Sequence, residues 1–420
     1  MRLSRAGAVA GSLFGVAVLV GCGTPAPPPA TPQPLPRVAT LDAAQVNTAV
    51  AADDALGLDL LNAEAAKDQG NLALSPVSVA IALQMVATGA DGETATEMAK
   101  VLHLPSVAAA GPAGQAATAG IAAADAPGSV TLHTANTLWT QQGKTLLPAF
   151  TKGLTDHFGT TGHTADFAGD ADGARQAINQ LVATQTEGKI PDLFPSGSID
   201  GNTELVLTNA LYLAATWAET FQQDATAPAA FTTASGARNT VPTMHGVFAA
   251  RYASGPGYQV VTLPYVGGRL GFSVLLPAPG SSTDALLKSL RGSGLTSTLA
   301  AAQPAPVTLS LPKFTVKSTM DLSGVLAGLG MPTAFTGRAN FDRIDTDGLS
   351  IQDVQHDAYV EVDENGTVAA AATGVAIGTS AGEADGTPVQ VDVNRPFLFA
   401  ITDLGTGLPL FLGRITQPVS

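Results

Sequence analysis

Three segments of the sequence carry potentially reactive side chains in ordered patterns. Gly378-Thr379-Ser380-Ala381-Gly382 matches G-x-S-x-G, the sharp strand-to-helix turn that presents a nucleophilic serine. Such a site needs a helix after the serine and an acid and a histidine further along the chain. Here Glu383-Ala384-Asp385-Gly386-Thr387-Pro388 cannot open a useful helix, and the last of the six histidines, His356, precedes Ser380. A secreted hydrolase is therefore a minor alternative. Asp345-Thr346-Asp347-Gly348 looks like a calcium turn, but its glycine comes too early for an EF-hand, so it reads as a plain turn. No H-E-x-x-H is present and the histidines are too scattered for metal-ligand spacing, so neither a metal nor a cofactor is expected.

The third cluster surrounds Cys22, the single cysteine, which excludes an internal disulfide scaffold and a thiolate metal cluster. Arg2 and Arg5 precede an apolar stretch from Ala6 to Val20, too short to span a membrane and suited to an export signal. Leu19-Val20-Gly21-Cys22 resembles the bacterial lipobox, in which the cysteine is lipidated and becomes the first mature residue. Residues 1–21 are thus expected to be a lipoprotein signal peptide, and the protein to be anchored to the outer face of the cell membrane, or secreted if the lipobox is not used. From Gly23 to Arg37 seven of fifteen positions are proline, which favours an extended stalk of roughly 45 Å. Residues 22–40 form that anchor and stalk, and 41–420 form one domain with no second proline-rich linker. With 420 residues, 45% of them hydrophobic, the chain can bury a large core. Its net charge of −14 argues against nucleic acid as a partner.

Helices gather early and strands late, which predicts an α+β fold. Asn47 to Lys67 reads as a helix, and Ser75-Pro76 opens a second with Val79, Leu83 and Val86 on one apolar face. Asp91 to Leu102 reads as a third, whereas the Ala- and Gly-rich stretch Val107 to Ala126 suits a loop or a weak helix. Strand-like runs are Leu205 to Leu213, Gly271 to Leu276, Val307 to Phe314, Phe397 to Ile401 and Leu410 to Ile415.

These elements leave one odd segment, Asn365 to Gly382, whose eighteen residues carry no charge and no proline. Small-residue stretches are ordinarily surface linkers. A linker needs no period of two, yet Thr367, Ala369, Ala371, Thr373, Val375 and Ile377 would line one face of a strand. Small side chains at its start would let the chain slide between two existing strands without meeting a packed core.

Glu364-Asn365-Gly366-Thr367-Val368-Ala369-Ala370-Ala371-Ala372 resembles the reactive-centre-loop hinge of serpins, the serine-protease inhibitors that insert this loop into their own sheet. Other serpin-like segments follow in order: Asn71-Leu72-Ala73-Leu74-Ser75-Pro76-Val77-Ser78, Thr186-Glu187-Gly188-Lys189-Ile190, Leu207-Thr208-Asn209-Ala210-Leu211-Tyr212, Leu311-Pro312-Lys313-Phe314, His356, and Asn394-Arg395-Pro396-Phe397-Leu398-Phe399. The resemblance covers about 41 to 418. It implies the serpin fold, three β-sheets with about nine helices and an exposed reactive-centre loop at about 364–393. It also implies a monomeric protease inhibitor rather than an enzyme.

Carried over by position, Glu364, Asn365, Gly366, Thr367, Ala369, Ala370, Ala371, Ala372 and Thr373 form the hinge. The reactive bond falls at Ser380-Ala381, with Thr379, Ala381 or Glu383 as neighbouring choices for the specificity residue. A small residue there implies an elastase-like or subtilisin-like serine protease as partner. Ser75, Ser78, Asn209 and His356 match the shutter, where buried hydrogen bonds hold the sheet closed. Two departures from the family pattern stand out: Val368 in place of an acidic residue, and Ala215-Thr216 before Trp217 where a basic residue is usual. Neither is expected to touch an inward hinge position. Non-inhibitory carriers of the same family are the main alternative; their hinges tend to carry bulky, charged or proline residues, and this one does not.

Overall fold

The structure is a computed structural model and describes residues 42–126, 129–346, 348–367 and 387–419. Nine α-helices occur among them: α1 (Ala43–Lys67), α2 (Pro76–Ala87), α3 (Gly92–Val101), α4 (Ala110–Ala124), α5 (Pro148–Phe158), α6 (Phe167–Gln185), α7 (Thr283–Ser293), α8 (Leu295–Ala300) and α9 (Ser323–Leu329). The strands are β1 (Leu72–Leu74), β2 (Val130–Thr134), β3 (Thr137–Gln141), β4 (His163–Ala165), β5 (Leu205–Thr216), β6 (Ala227–Thr232), β7 (Arg238–Gly255) and β8 (Tyr258–Pro264). They continue with β9 (Leu270–Pro277), β10 (Gln303–Pro312), β11 (Phe314–Asp321), β12 (Asp353–Val362), β13 (Gly366–Thr367), β14 (Val389–Asp392), β15 (Phe397–Asp403) and β16 (Pro409–Ile415).

Local signals set the helix ends. Asp42 caps α1 by accepting from Ala44 N–H, which starts the helix four residues ahead of Asn47. Ser75 and Pro76 open α2 as expected, but every one of its twelve residues is buried rather than one face alone. A helix apolar all round must be enclosed, and α2 packs against α1, α4, β5 and β16. The Ala- and Gly-rich stretch forms α4 and not a loop, because its glycines admit neighbours that a side chain would exclude. A Cβ on Gly114 would lie 2.1 Å from the Phe158 ring.

Two sheets result. The larger runs β1-β16-β15-β9-β8-β7-β10-β14, with β6 beside β7. The long β7 pairs with β6 and β10 along residues 238–252 and with β8 along 251–255, so this sheet has two pairing groups. The other sheet runs β11-β12-β13-β5-β3-β4, with β2 also on β5. The single run expected at Val307 to Phe314 divides between them. Lys313 N–H bonds to the Pro242 carbonyl, outside either ladder, and the chain crosses from β10 to β11 there. Phe272, Phe314 and Phe399 meet between the sheets with ring centroids 5.6 to 6.4 Å apart.

A candidate inhibitory hinge and shutter

β5 and β12 pair directly and in parallel, from Val206 opposite Asp353 to Leu211 opposite Ala358. Asn209 and His356 are partners in this register, and both are fully buried. The Ser75 N–H donates to His356 Nε2 at 2.9 Å. That ring nitrogen must accept, so Nδ1 carries the proton and donates to Asn209 Oδ1. Asn209 Nδ2 in turn donates to the Gln355 carbonyl at 3.0 Å. Burial outweighs the hydrogen bond that Nδ1 donates to the Asn209 backbone carbonyl and lowers the imidazole to about 4, so it is neutral here. Ser75 Oγ accepts from Ser78 N–H at 3.3 Å, and Ser78 Oγ donates to Asn136 Oδ1 at 2.6 Å. Ser75, Ser78, Asn209 and His356 therefore meet in one chain of buried hydrogen bonds joining the start of α2 to the β5–β12 seam.

Above that seam the hinge begins. Asp363 Oδ1 accepts from the N–H groups of Asn365 and Gly366, and Asp363 N–H bonds to the Gly366 carbonyl, a tight reversal that turns the chain back along β12. Gly366 and Thr367 then sit as β13 between the two strands, with Gly366 opposite Thr216, and Thr367 opposite both Ala215 and Val362. A Cβ on Gly366 would lie 2.0 Å from the Ala215 carbonyl oxygen, so only glycine passes. Ala215 and Thr216 thus touch the hinge directly, against expectation. The sequence pattern could not show that β13 already reaches into the sheet.

Thr367 is 1% exposed, and its hydroxyl hydrogen-bonds to the Tyr265 hydroxyl. Burial raises the Tyr265 phenol, which stays protonated. Tyr265 stacks on Trp217 at 4.7 Å, and Trp217 meets Phe272 edge-on at 5.6 Å. Trp217 Nε1 donates to the Asp363 carbonyl and its backbone N–H to the Asn365 carbonyl, both at 2.9 Å. Glu364 takes Lys313 Nζ at 2.7 Å and Thr226 Oγ1 at 2.8 Å. Burial alone would raise the Glu364 carboxyl, but these partners hold it below its usual range.

Glu364, Asn365, Gly366 and Thr367 are brought to one place, whereas Ala369–Thr373, the Ser380–Ala381 bond and Cys22 lie outside the described residues. Sequence reasoning did not single out Tyr265, Thr226, Asp363 or Asn136, none of which carries a local signal. Lys313 lies in the serpin-like segment Leu311-Pro312-Lys313-Phe314, and its pairing with Glu364 has no local signal.

The chain matches the family model for Serpin (serine protease inhibitor) over residues 51–418, and it belongs to the serpin family. It is 34% identical over 368 residues to the human leukocyte elastase inhibitor, covering 83% of this chain and 93% of that protein. An uncharacterized serpin-like protein of Thermococcus kodakarensis is 33% identical over 356 residues, covering 84% and 82%. Among solved structures, the thermophilic serpin tengpin in its native state is similar at a TM-score of 0.78 and 27% identity, over 90% of this chain and 95% of that one. The α+β serpin fold expected from the sequence is thus established.

Proposed function

We propose that this serpin is a suicide-substrate inhibitor of elastase-like or subtilisin-like serine proteases. The observation that carries the reading is β13: the first hinge residues lie between β5 and β12 with the Thr367 side chain turned into the core. If the β5–β12 ladder opened, the residues that follow Thr367 in the sequence could enter the same seam as an added strand.

The protease serine oxygen attacks the Ser380 carbonyl carbon, and the bond to Ala381 nitrogen breaks. The freed amine leaves with a proton from the protease histidine. An ester then links the protease to Ser380. Insertion of the segment after Thr367 competes with attack of water on that ester and, when faster, carries the protease away before release. Small side chains at Ala369, Ala370, Ala371 and Ala372 suit passage between packed strands. The small Ser380, with no Arg or Lys nearby, suits a small primary pocket. The named activity of the human relative, inhibition of an elastase, supports the target class. Export, lipidation at Cys22 and action as a monomer at the outer face of the cell membrane, or secretion if the lipobox is not used, belong to the same proposal.

A protease panel tests it. Elastase or subtilisin should yield a complex stable in SDS, with mass spectrometry placing the cut after Ser380 and the cut protein gaining thermal stability. Simple turnover, with no gain in stability after the cut, would sink the reading.

A further inference from the structure

The turn that ends α6 crosses the seam into which the loop would insert. On β5, Val206 and Ala210 pack beneath α6, so Tyr212, of the same parity, shares that outer face. On β12, Tyr359 and Glu361 have the parity opposite to His356 and also face outward. Tyr212 and Tyr359 are the first residues above the last direct pair, Leu211 with Ala358. They mark the fork where the sheet begins to part.

Thr186-Glu187-Gly188-Lys189 bridges that fork. Thr186 N–H bonds to the Val182 carbonyl and Gly188 N–H to the Ala183 carbonyl at 2.8 Å, a helix-ending motif whose left-handed position ordinarily takes glycine. Here that position is Glu187, at φ 51°, one of two non-glycine residues with positive φ among the described residues. Glycine would relax the backbone but would lose the carboxylate, which accepts from Tyr212 OH at 3.3 Å and lies 3.9 Å from His133 Nδ1. Two residues on, Lys189 Nζ lies 3.7 Å from Glu361 Oε2 and 4.9 Å over the Tyr359 ring, while Tyr359 OH donates to the same carboxylate oxygen at 2.8 Å. One rigid turn thus holds β5 through Glu187 and β12 through Lys189.

Inserting a strand below the fork moves the directly paired parts of β5 and β12 from about 4.8 Å to roughly twice that separation; this widens the fork above them, and so short a span cannot keep both grips. We propose that Glu187-Gly188-Lys189 is a strap across the insertion seam, and that its release limits the rate at which a new strand enters. The proposal rests on the insertion reading above, and its test uses no protease.

A synthetic peptide with the sequence of residues 367–378 is added to the full chain, and its uptake is followed on native gels. Parent, Glu187→Gly, Lys189→Ala and the double variant are compared. Each single variant should take up peptide roughly tenfold faster than the parent. The double variant should be within about twofold of the faster single one, because either change cuts the same span. Melting temperature without peptide should stay level or rise for Glu187→Gly, whose backbone relaxes. Uptake within twofold of the parent overturns the strap. So does a double effect equal to the product of the singles, or acceleration that merely follows a falling melting temperature. If neither parent nor variants take up peptide, the insertion reading itself fails and the strap with it, an outcome distinct from equal uptake by all four.

Discussion

The shutter and the hinge lie along one seam, yet they are held by different means. At the shutter, Ser75, His356 and Asn209 form a neutral chain of hydrogen bonds that is fully buried and spans a direct β5–β12 ladder. At the hinge, β13 has already parted the strands, and the grip comes from a charged pair, Lys313 with Glu364, and the Trp217–Tyr265 stack. Neutral buried donors and acceptors are costly to leave unpaired, so the shutter resists opening as a unit. A partly exposed ion pair and a single hydroxyl contact are cheaper to exchange. On the proposed insertion reading, opening would start at the hinge and would then have to pass the shutter.

Four changes test the contrast, in order of decreasing effect. Thr367→Arg buries an unpaired charge against Tyr265; it should abolish the SDS-stable complex, turn the protein into a substrate and lower the native melting temperature. Retained inhibition by this variant would show that the hinge does not insert in this register.

The shutter should separate from the hinge on a pH axis. His356 has a folded value of about 4 against 6.5 unfolded. Between those values only the unfolded chain binds the proton, so this stability is complete above about pH 6.5 and is lost as pH falls toward 4, amounting to about 3 kcal/mol. Glu364, held against burial below the usual carboxylate range by Lys313 and Thr226, gives up its share only at more acid pH. Denaturant melts from pH 4 to 8 should show the His356 step, and His356→Gln should remove it. A step that persists in the variant would assign it elsewhere.

Gly366→Ala drives a methyl into the Ala215 carbonyl. It should expel β13 at a cost of about 1 to 3 kcal/mol and change the emission of Trp217, leaving the His356 step in place. An unchanged Trp217 signal and melting temperature would mean that the hinge is not held where it is described. The smallest effect is expected from Thr226→Val, which removes one of two partners of Glu364. It should cost about 0.5 to 1.5 kcal/mol in equilibrium melts, and a larger loss would contradict the weaker grip assigned to the hinge.

Much of this was legible in the sequence. Ser75-Pro76 announces a helix start through cap chemistry alone, and Gly366-Thr367 announces a strand small enough to enter a seam. Interactions between distant segments were not legible. Asn136 reaches Ser78, and Tyr265 reaches Thr367, across 58 and 102 residues of chain. No periodicity encodes such meetings; they follow from sheet register. α2 misled for the same reason, since a helix buried on all sides and one buried on one face can begin with the same apolar stripe.

β15 and β16 have no exposed residue between them. They pair with each other, with β9 and, through β16, with β1, while β14 lies along β10. A chain cut anywhere between residues 368 and 386 therefore gives up a covalent link but not its carboxyl-terminal piece, which stays woven through the core as one half of a self-complementing pair. The cut product should behave as a two-chain heterodimer, born already assembled, whose fragments would part only when the whole fold is denatured.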